Sequence, residues 1–215
     1  MTERVLLAGG TGLVGGFLTE RLLARRDVEV TSLVRAPRRP GERAIDFEAL
    51  AADPVSVIGP DPVNVGISSL GTTMRAAGSQ AAFRRVDLDY VGAVARAAKL
   101  NGATRFVLLT SVGAGGRGFY LRVKGEAEAK VRAIGFERLD LVRPGLLLGD
   151  RRERRPGERL AQRAAPLLRF MLRGPLDAYA PIPAATVAAA IERLIDASEP
   201  GVHIHSNREL RALAR

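Results

Sequence analysis

Tyr120 and Lys124 stand four residues apart in Phe119-Tyr120-Leu121-Arg122-Val123-Lys124. On a helix that spacing puts both side chains on one face, a turn apart. A phenol titrates at about pH 10 in water and is a poor acid–base catalyst at neutral pH; an ammonium beside it lowers that value. Such a pair can give a proton to a carbonyl oxygen or take one from an alcohol. Ser111 ends an apolar run upstream, where its hydroxyl could hold the same oxygen, with Thr110 as the fallback. The plainer reading of Ser111 is turn satisfaction, since strand ends often carry Ser or Thr for that purpose.

A second group of residues suits an anion. Gly9-Gly10-Thr11-Gly12-Leu13-Val14-Gly15 follows the short apolar run Arg4 to Ala8 and precedes residues at helical spacing. In that context Gly9 permits a tight turn, Gly12 lets backbone approach a pyrophosphate, and Gly15 allows helix and strand to pack closely. The helix N-terminus then faces the anion. Arg35 ends the next β-branched run, with Arg38 and Arg39 behind it. An acidic residue there would accept hydrogen bonds from a ribose diol, whereas a guanidinium matches a 2′-phosphate bidentately. The spacing therefore favours NADP(H), with NAD(H) the other option; a solvated basic loop is the bland alternative. His203 and His205 alternate on an expected strand without a metal-ligand pattern in the sequence, so no metal site is expected.

These residues need a frame to position them, and the chain reads as alternating strands and helices. Strands are expected over 4–8, 28–34, 44–47, 63–70, 105–109, 139–143 and 203–206. Helices are expected over 13–25, 81–101, 120–133 and 186–197, with a brief one ending near 52. The long helix over 81–101 would carry Val86, Tyr90, Val94 and Ala97 on one stripe, and Asp87 could face the site from it. Several strands are apolar throughout, the mark of a parallel sheet covered on both faces. The fold class is thus α/β: a doubly wound, mostly parallel Rossmann-type sheet with helices on both faces. All 215 residues read as one domain, with a small C-terminal substrate-side lobe mainly over 150–185.

Composition narrows the function classes. The net charge of +10 could mark a nucleic-acid partner. However, only Lys99, Lys124 and Lys130 are lysines, the arginines are dispersed, and 5% aromatic content leaves few stacking platforms. A basic surface with an anionic cofactor is the better account. No apolar run is long enough for a membrane span, the first residues do not read as a signal peptide, and cysteine is absent. The expected address is cytoplasmic and the expected partner a small-molecule substrate; the sequence does not set the oligomeric state.

Several segments resemble the short-chain dehydrogenase/reductase superfamily in its extended or atypical form, and more narrowly its Tat-interacting oxidoreductase-like branch. They are Asp46-Phe47-Glu48-Ala49-Leu50, Ser69-Leu70-Gly71-Thr72-Thr73, Arg84-Arg85-Val86-Asp87-Leu88-Asp89-Tyr90, the Tyr120–Lys124 segment, and Arg143-Pro144-Gly145-Leu146-Leu147-Leu148. The most specific is Asp150-Arg151-Arg152-Glu153-Arg154-Arg155-Pro156-Gly157-Glu158, through its Arg-Pro-Gly-Glu. The resemblance implies that Thr11, Gly12, Leu13 and Val14 wrap a pyrophosphate and Arg35 a 2′-phosphate. Asp46 and Phe47 would flank adenine, Leu70 and Gly71 would pass under the adenosine side, and Leu147 and Arg155 would close over the nicotinamide half. Ser111, Tyr120 and Lys124 match the superfamily's catalytic triad, with Lys124 also supporting the cofactor ribose.

The chain departs from that pattern in places. Ala36 follows Arg35 where the branch often has a second arginine, and only eight residues separate Ser111 from Tyr120. The short spacing and small lobe argue against a nucleotide-sugar substrate. The expected function is NADPH-dependent reduction or oxidation of a small carbonyl or alcohol. The competing expectation is a cofactor-binding redox sensor or regulatory scaffold with little turnover.

Overall fold

The computed structural model describes residues 2–54, 58–59, 61–149 and 174–215, with the side chains of 174–176 left aside. Most of the expected substrate-side lobe, Arg155 included, lies outside the described residues.

The strands are β1 (Glu3–Ala8), β2 (Val28–Val34), β3 (Glu42–Ala44), β4 (Val65–Ser68), β5 (Arg105–Leu109), β6 (Arg138–Val142) and β9 (Gly201–His205). They form one seven-stranded sheet in the order β3-β2-β1-β4-β5-β6-β9, and every pair is parallel. Side chains alternate across a strand, so each strand feeds two cores. Leu6 and Ala8 join one face, under helices α2 (Phe47–Ala52), α5 (Val91–Leu100) and α6 (Phe119–Arg132). Val5 and Leu7 join the other, under α1 (Leu13–Leu23), α7 (Ala184–Leu194) and α8 (Asn207–Leu213). Between α2 and α5 lie the short helices α3 (Met74–Ala77) and α4 (Gln80–Arg84).

Strand β1 pairs with β2 through Ala8↔Leu33 and with β4 through Ala8↔Ser68. The chain leaves β1 in one direction toward β2 and β3, and later returns to its other side at β4. Such a reversal leaves a crevice beyond the carboxyl ends of the strands, where α/β sheets bind ligands. The segments after β1, β2, β4 and β5 all open onto that edge.

Three expectations are revised. The third strand ends at Ala44 rather than running to Phe47. Ile45 still donates its N–H to Val34 at 2.8 Å, but Asp46 then caps α2 by accepting the Glu48 N–H at 2.8 Å, which turns the chain. The fourth strand covers only Val65–Ser68. The single helix expected over 81–101 is interrupted by a π-helical segment at Arg85–Tyr90. A π turn takes more residues than an α turn, so the inward stripe slips. Asp87 and Leu88 are buried, whereas Val86 and Tyr90 are half-buried.

The C-terminal part adds structure that hydrophobic periodicity did not mark. Strands β7 (Leu147–Leu148) and β8 (Ile182–Pro183) pair in a separate two-stranded sheet. Helix α8 opens with a capping box between Ser206 and Glu209. Its first residue, Asn207, is fully buried and works as a clamp. It donates to the carbonyl oxygens of Ala180 at 2.7 Å and Asp177 at 2.9 Å, and accepts the Gly145 N–H at 3.0 Å. Gly145 fits there because a Cβ would lie 2.5 Å from the Ala180 oxygen. His205 meets a carboxylate that its own stretch of sequence did not reveal: Asp140 Oδ1, 2.8 Å from Nε2, on the neighbouring strand and also held by Arg138. No helix among the described residues is long and apolar enough to cross a membrane.

Candidate cofactor and catalytic site

The turn after β1 is crowded to the point of excluding side chains. Gly9 has φ +88°, and a Cβ there would lie 2.5 Å from the Ser69 carbonyl carbon. At Gly15 a Cβ would lie 2.1 Å from the Gly9 oxygen. Gly12 donates its N–H to that same oxygen at 2.9 Å and forms the N-cap of α1. Among the described residues no side chain caps this end, and no acidic residue stands in the first turn. Thr11 and Gly12 are exposed, Leu13 is half-buried and Val14 buried. An uncapped helix N-terminus approached through glycine backbone, with the dipole's positive end outward, fits a pyrophosphate. Gly10 belongs to the same device and was not singled out from sequence: a Cβ there would meet Ser32 Oγ at 2.6 Å.

Arg35 follows β2 directly. Leu33 of that strand is level with Ala8, so Arg35 emerges beside the glycine turn. It is exposed and makes no ion pair with any described residue. Its neighbour Arg39 is shared with Glu20 at 3.8 Å. Asp46 is exposed at the cap of α2. The Phe47 ring instead turns into the core against Tyr90, centroids 5.5 Å apart, so Phe47 presents backbone rather than its ring to the edge. Tyr90 donates from its hydroxyl to Glu48, which Arg85 also holds; these partners bring the Glu48 carboxyl down to about 2.

The loop after β4 carries Leu70, half-buried, and Gly71, exposed. Directly beside Gly71 lies the Lys124 ammonium: a Cβ at Gly71 would be 3.5 Å from both Lys124 Nζ and Asp87 Oδ1. Lys124 is 6% exposed, and its Nζ lies 5.9 Å from the centroid of the Tyr120 ring. Tyr120 is 38% exposed and leans on the buried Phe83 at 5.6 Å. An open phenol with an ammonium set behind it is the arrangement that the four-residue spacing predicts.

Ser111 and Thr110 separate cleanly. Thr110 is buried and its hydroxyl donates to Glu128 Oε1 at 2.8 Å, so it is committed to structure. Ser111 is half-buried, and among the described residues its hydroxyl donates only to the adjacent Val112 carbonyl at 3.2 Å, a bond readily exchanged for a ligand. The short Ser111–Tyr120 connection folds back on α6, with Gly115 donating to the Leu121 carbonyl at 2.8 Å. Gly125 makes this approach possible, since a Cβ there would lie 2.5 Å from Gly115 Cα. A glycine in mid-helix costs about 1 kcal/mol and was the available signal for that contact.

Glu128, on the same helical face as Tyr120 and Lys124, was also missed. It is 1% exposed and receives Arg143 Nε at 2.9 Å besides the Thr110 hydroxyl, tying α6 to the ends of β5 and β6. Leu147 is half-buried in β7. Gly149, just beyond it, rests against Leu13, where a Cβ would come within 2.9 Å of Leu13 Cδ1, so this segment roofs the start of α1.

A parallel sheet reversing at β1, a glycine cradle at an uncapped helix and a Tyr–Lys helix beside it define a dinucleotide-binding protein of the Rossmann type. A family model for NAD(P)H-binding proteins matches residues 9–198, and the chain belongs to that family. It is similar to rat Protein HTATIP2, 39% identical over 172 residues, covering 75% of this chain and 69% of the relative. It is also similar to "Protein fmp52, mitochondrial" of Emericella nidulans, 36% identical over 173 residues, 74% of this chain and 72% of that protein.

Among solved structures, human epimerase family protein SDR39U1 with NADPH superposes with a TM-score of 0.65 at 22% identity, over 94% of this chain and 74% of that one. Bordetella bronchiseptica WbmH in complex with NAD+ gives 0.68 at 15% identity, over 96% and 76%. The fold is that of short-chain dehydrogenase/reductase and epimerase proteins, and NAD(P)(H) is the cofactor class the chain binds.

Proposed function

We propose that the protein is an NADPH-dependent oxidoreductase that interconverts a small carbonyl and its alcohol. The observation that carries this reading is the buried Lys124 ammonium, 5.9 Å from the ring centroid of an exposed tyrosine and next to Gly71. When bound, the nicotinamide supplies the hydride chemistry. In reduction, Tyr120 gives its phenolic proton to the carbonyl oxygen, Ser111 Oγ holds that oxygen, and the Lys124 ammonium stabilises the phenolate left behind. In oxidation the phenolate takes the alcohol's proton back.

The preference for NADPH rests on Arg35, a guanidinium without an ion-pair partner among the described residues, beside the glycine turn. Native mass spectrometry of the purified protein should reveal bound NADP(H). A panel of small aldehydes and ketones, followed by loss of NADPH absorbance, should contain substrates. Tight NADPH binding with no turnover anywhere in the panel, and with altered affinity for a protein partner, would replace this reading with that of a cofactor sensor.

A further inference from the structure

The π-helical segment Arg85–Tyr90 breaks an otherwise continuous helical stretch, and π turns cluster where function demands a displaced side chain. Its effect here is to turn Asp87 inward. Asp87 is 1% exposed, an environment a carboxylate tolerates only when paired. Its Oδ2 accepts the Thr72 N–H at 2.8 Å, which fixes it to the loop after β4. Among the described residues, its Oδ1 has no hydrogen-bond donor of good geometry and one charged neighbour, Lys124 Nζ at 2.8 Å.

The other carboxylates around α6 are engaged elsewhere. Asp89 faces Lys130 and Arg85, Glu126 faces Arg84, and Glu128 is taken by Thr110 and Arg143. Asp87 is therefore the one carboxylate that a described contact brings to the Tyr120–Lys124 pair.

We propose that Asp87 is a positioning residue that acts through Lys124, anchoring the ammonium between Gly71 and the Tyr120 ring. Without it the four-carbon lysine stem has several rotamers, and a buried ammonium without a counter-charge is driven toward solvent. The catalytic consequence rests on the oxidoreductase reading above; the positional one does not.

Two measurements test this. The chain has three lysines, so amine acetylation of the cofactor-free protein, mapped by mass spectrometry, reports on each. Asp87→Asn keeps the shape and an oxygen for the Thr72 N–H, and should raise labelling of Lys124 by about tenfold. Lys99 and Lys130 should label as before, which also certifies the fold. Should Asn not be tolerated, Asp87→Ser carries the same expectation. Unchanged labelling of Lys124 would overturn the proposal, whether or not any carbonyl is ever turned over.

With a substrate in hand, Asp87→Asn should lower kcat by about 10- to 100-fold. In a Lys124→Met background the same change should cost nothing further, because both act through one ammonium. Additive losses would show that Asp87 acts independently of Lys124 and overturn the proposal. A wild type without turnover overturns the oxidoreductase reading and leaves the labelling result to decide on Asp87.

Discussion

The turn after β1 and the helix bearing Tyr120 serve one site by opposite means. Around the turn, position comes from side chains that are missing. Gly9, Gly10 and Gly15 each stand where a Cβ would collide with backbone or a buried hydroxyl, and α1 begins with no capping side chain among the described residues. Around the tyrosine helix, position comes from buried charge. Lys124 meets Asp87, and Glu128 meets Thr110 and Arg143. A backbone cradle tolerates no addition, and a buried polar network tolerates no subtraction. On the proposed reading, the first presents fixed N–H dipoles to the cofactor's pyrophosphate and the second holds the groups that would exchange a proton.

Substitutions in each half can break or sharpen that contrast. The largest expected effect is at Tyr120→Phe, which keeps the ring against Phe83 and deletes the proton donor. Turnover should fall by about 10²- to 10⁴-fold with NADPH affinity little changed; full activity would refute the catalytic assignment. Next is subtraction from the network. Glu128→Ala leaves Arg143 without its counter-charge and should lower the free energy of unfolding by about 3–5 kcal/mol in a denaturant titration. Less than about 1 kcal/mol would mean that the network is not what docks the helix.

Addition to the cradle should come third. Gly15→Ala forces a methyl group against the Gly9 carbonyl, costing about 1–3 kcal/mol, and should weaken NADP(H) and NAD(H) alike by isothermal titration. The narrowest effect, confined to one cofactor, is expected at Arg35→Ala, which touches neither device. It should cost about ten- to a hundredfold in NADPH affinity, as for a charge-assisted contact of about 1.5–3 kcal/mol, and leave NADH nearly unchanged. Equal losses for both cofactors would return Arg35 to a structural role.

The same contrast explains what could be read from the chain before its fold. Gly9, Gly12 and Gly15 are legible because the cradle is local: one turn contains its whole mechanism. Tyr120 and Lys124 are legible because a helix fixes their spacing. Asp87 was only weakly visible as a partner, since helical periodicity assigned the inward stripe to Val86 and Tyr90 and could not foresee a π turn. Glu128 was invisible because its partners, Thr110 and Arg143, are 18 and 15 residues away and meet it only through strand order. The Asn207 clamp is likewise a long-range contact made by a residue whose local sequence announces only a helix start.

The packing of α1 against α7 bears on how the chain reaches this state. The two cores are completed at very different points along the sequence. Among the described residues, the face under α2, α5 and α6 draws only on residues up to Leu141. The opposite face places Val14, Leu18 and Leu22 of α1 against Val187, Ile191 and Leu194 of α7, with Arg21 bound to Glu192 and Arg25 to Asp196 across 171 residues. During synthesis at about 5–20 residues per second, α1 waits about 10–30 s for its partner. Throughout that interval one side of the sheet, from Val5 and Leu7 to Ile67 and Val107, has no α7 cover. The first face can therefore condense while the chain is still being made, whereas the face bearing the glycine cradle is sealed only once α7 has been synthesised. Chaperone holding should act on that late-covered face.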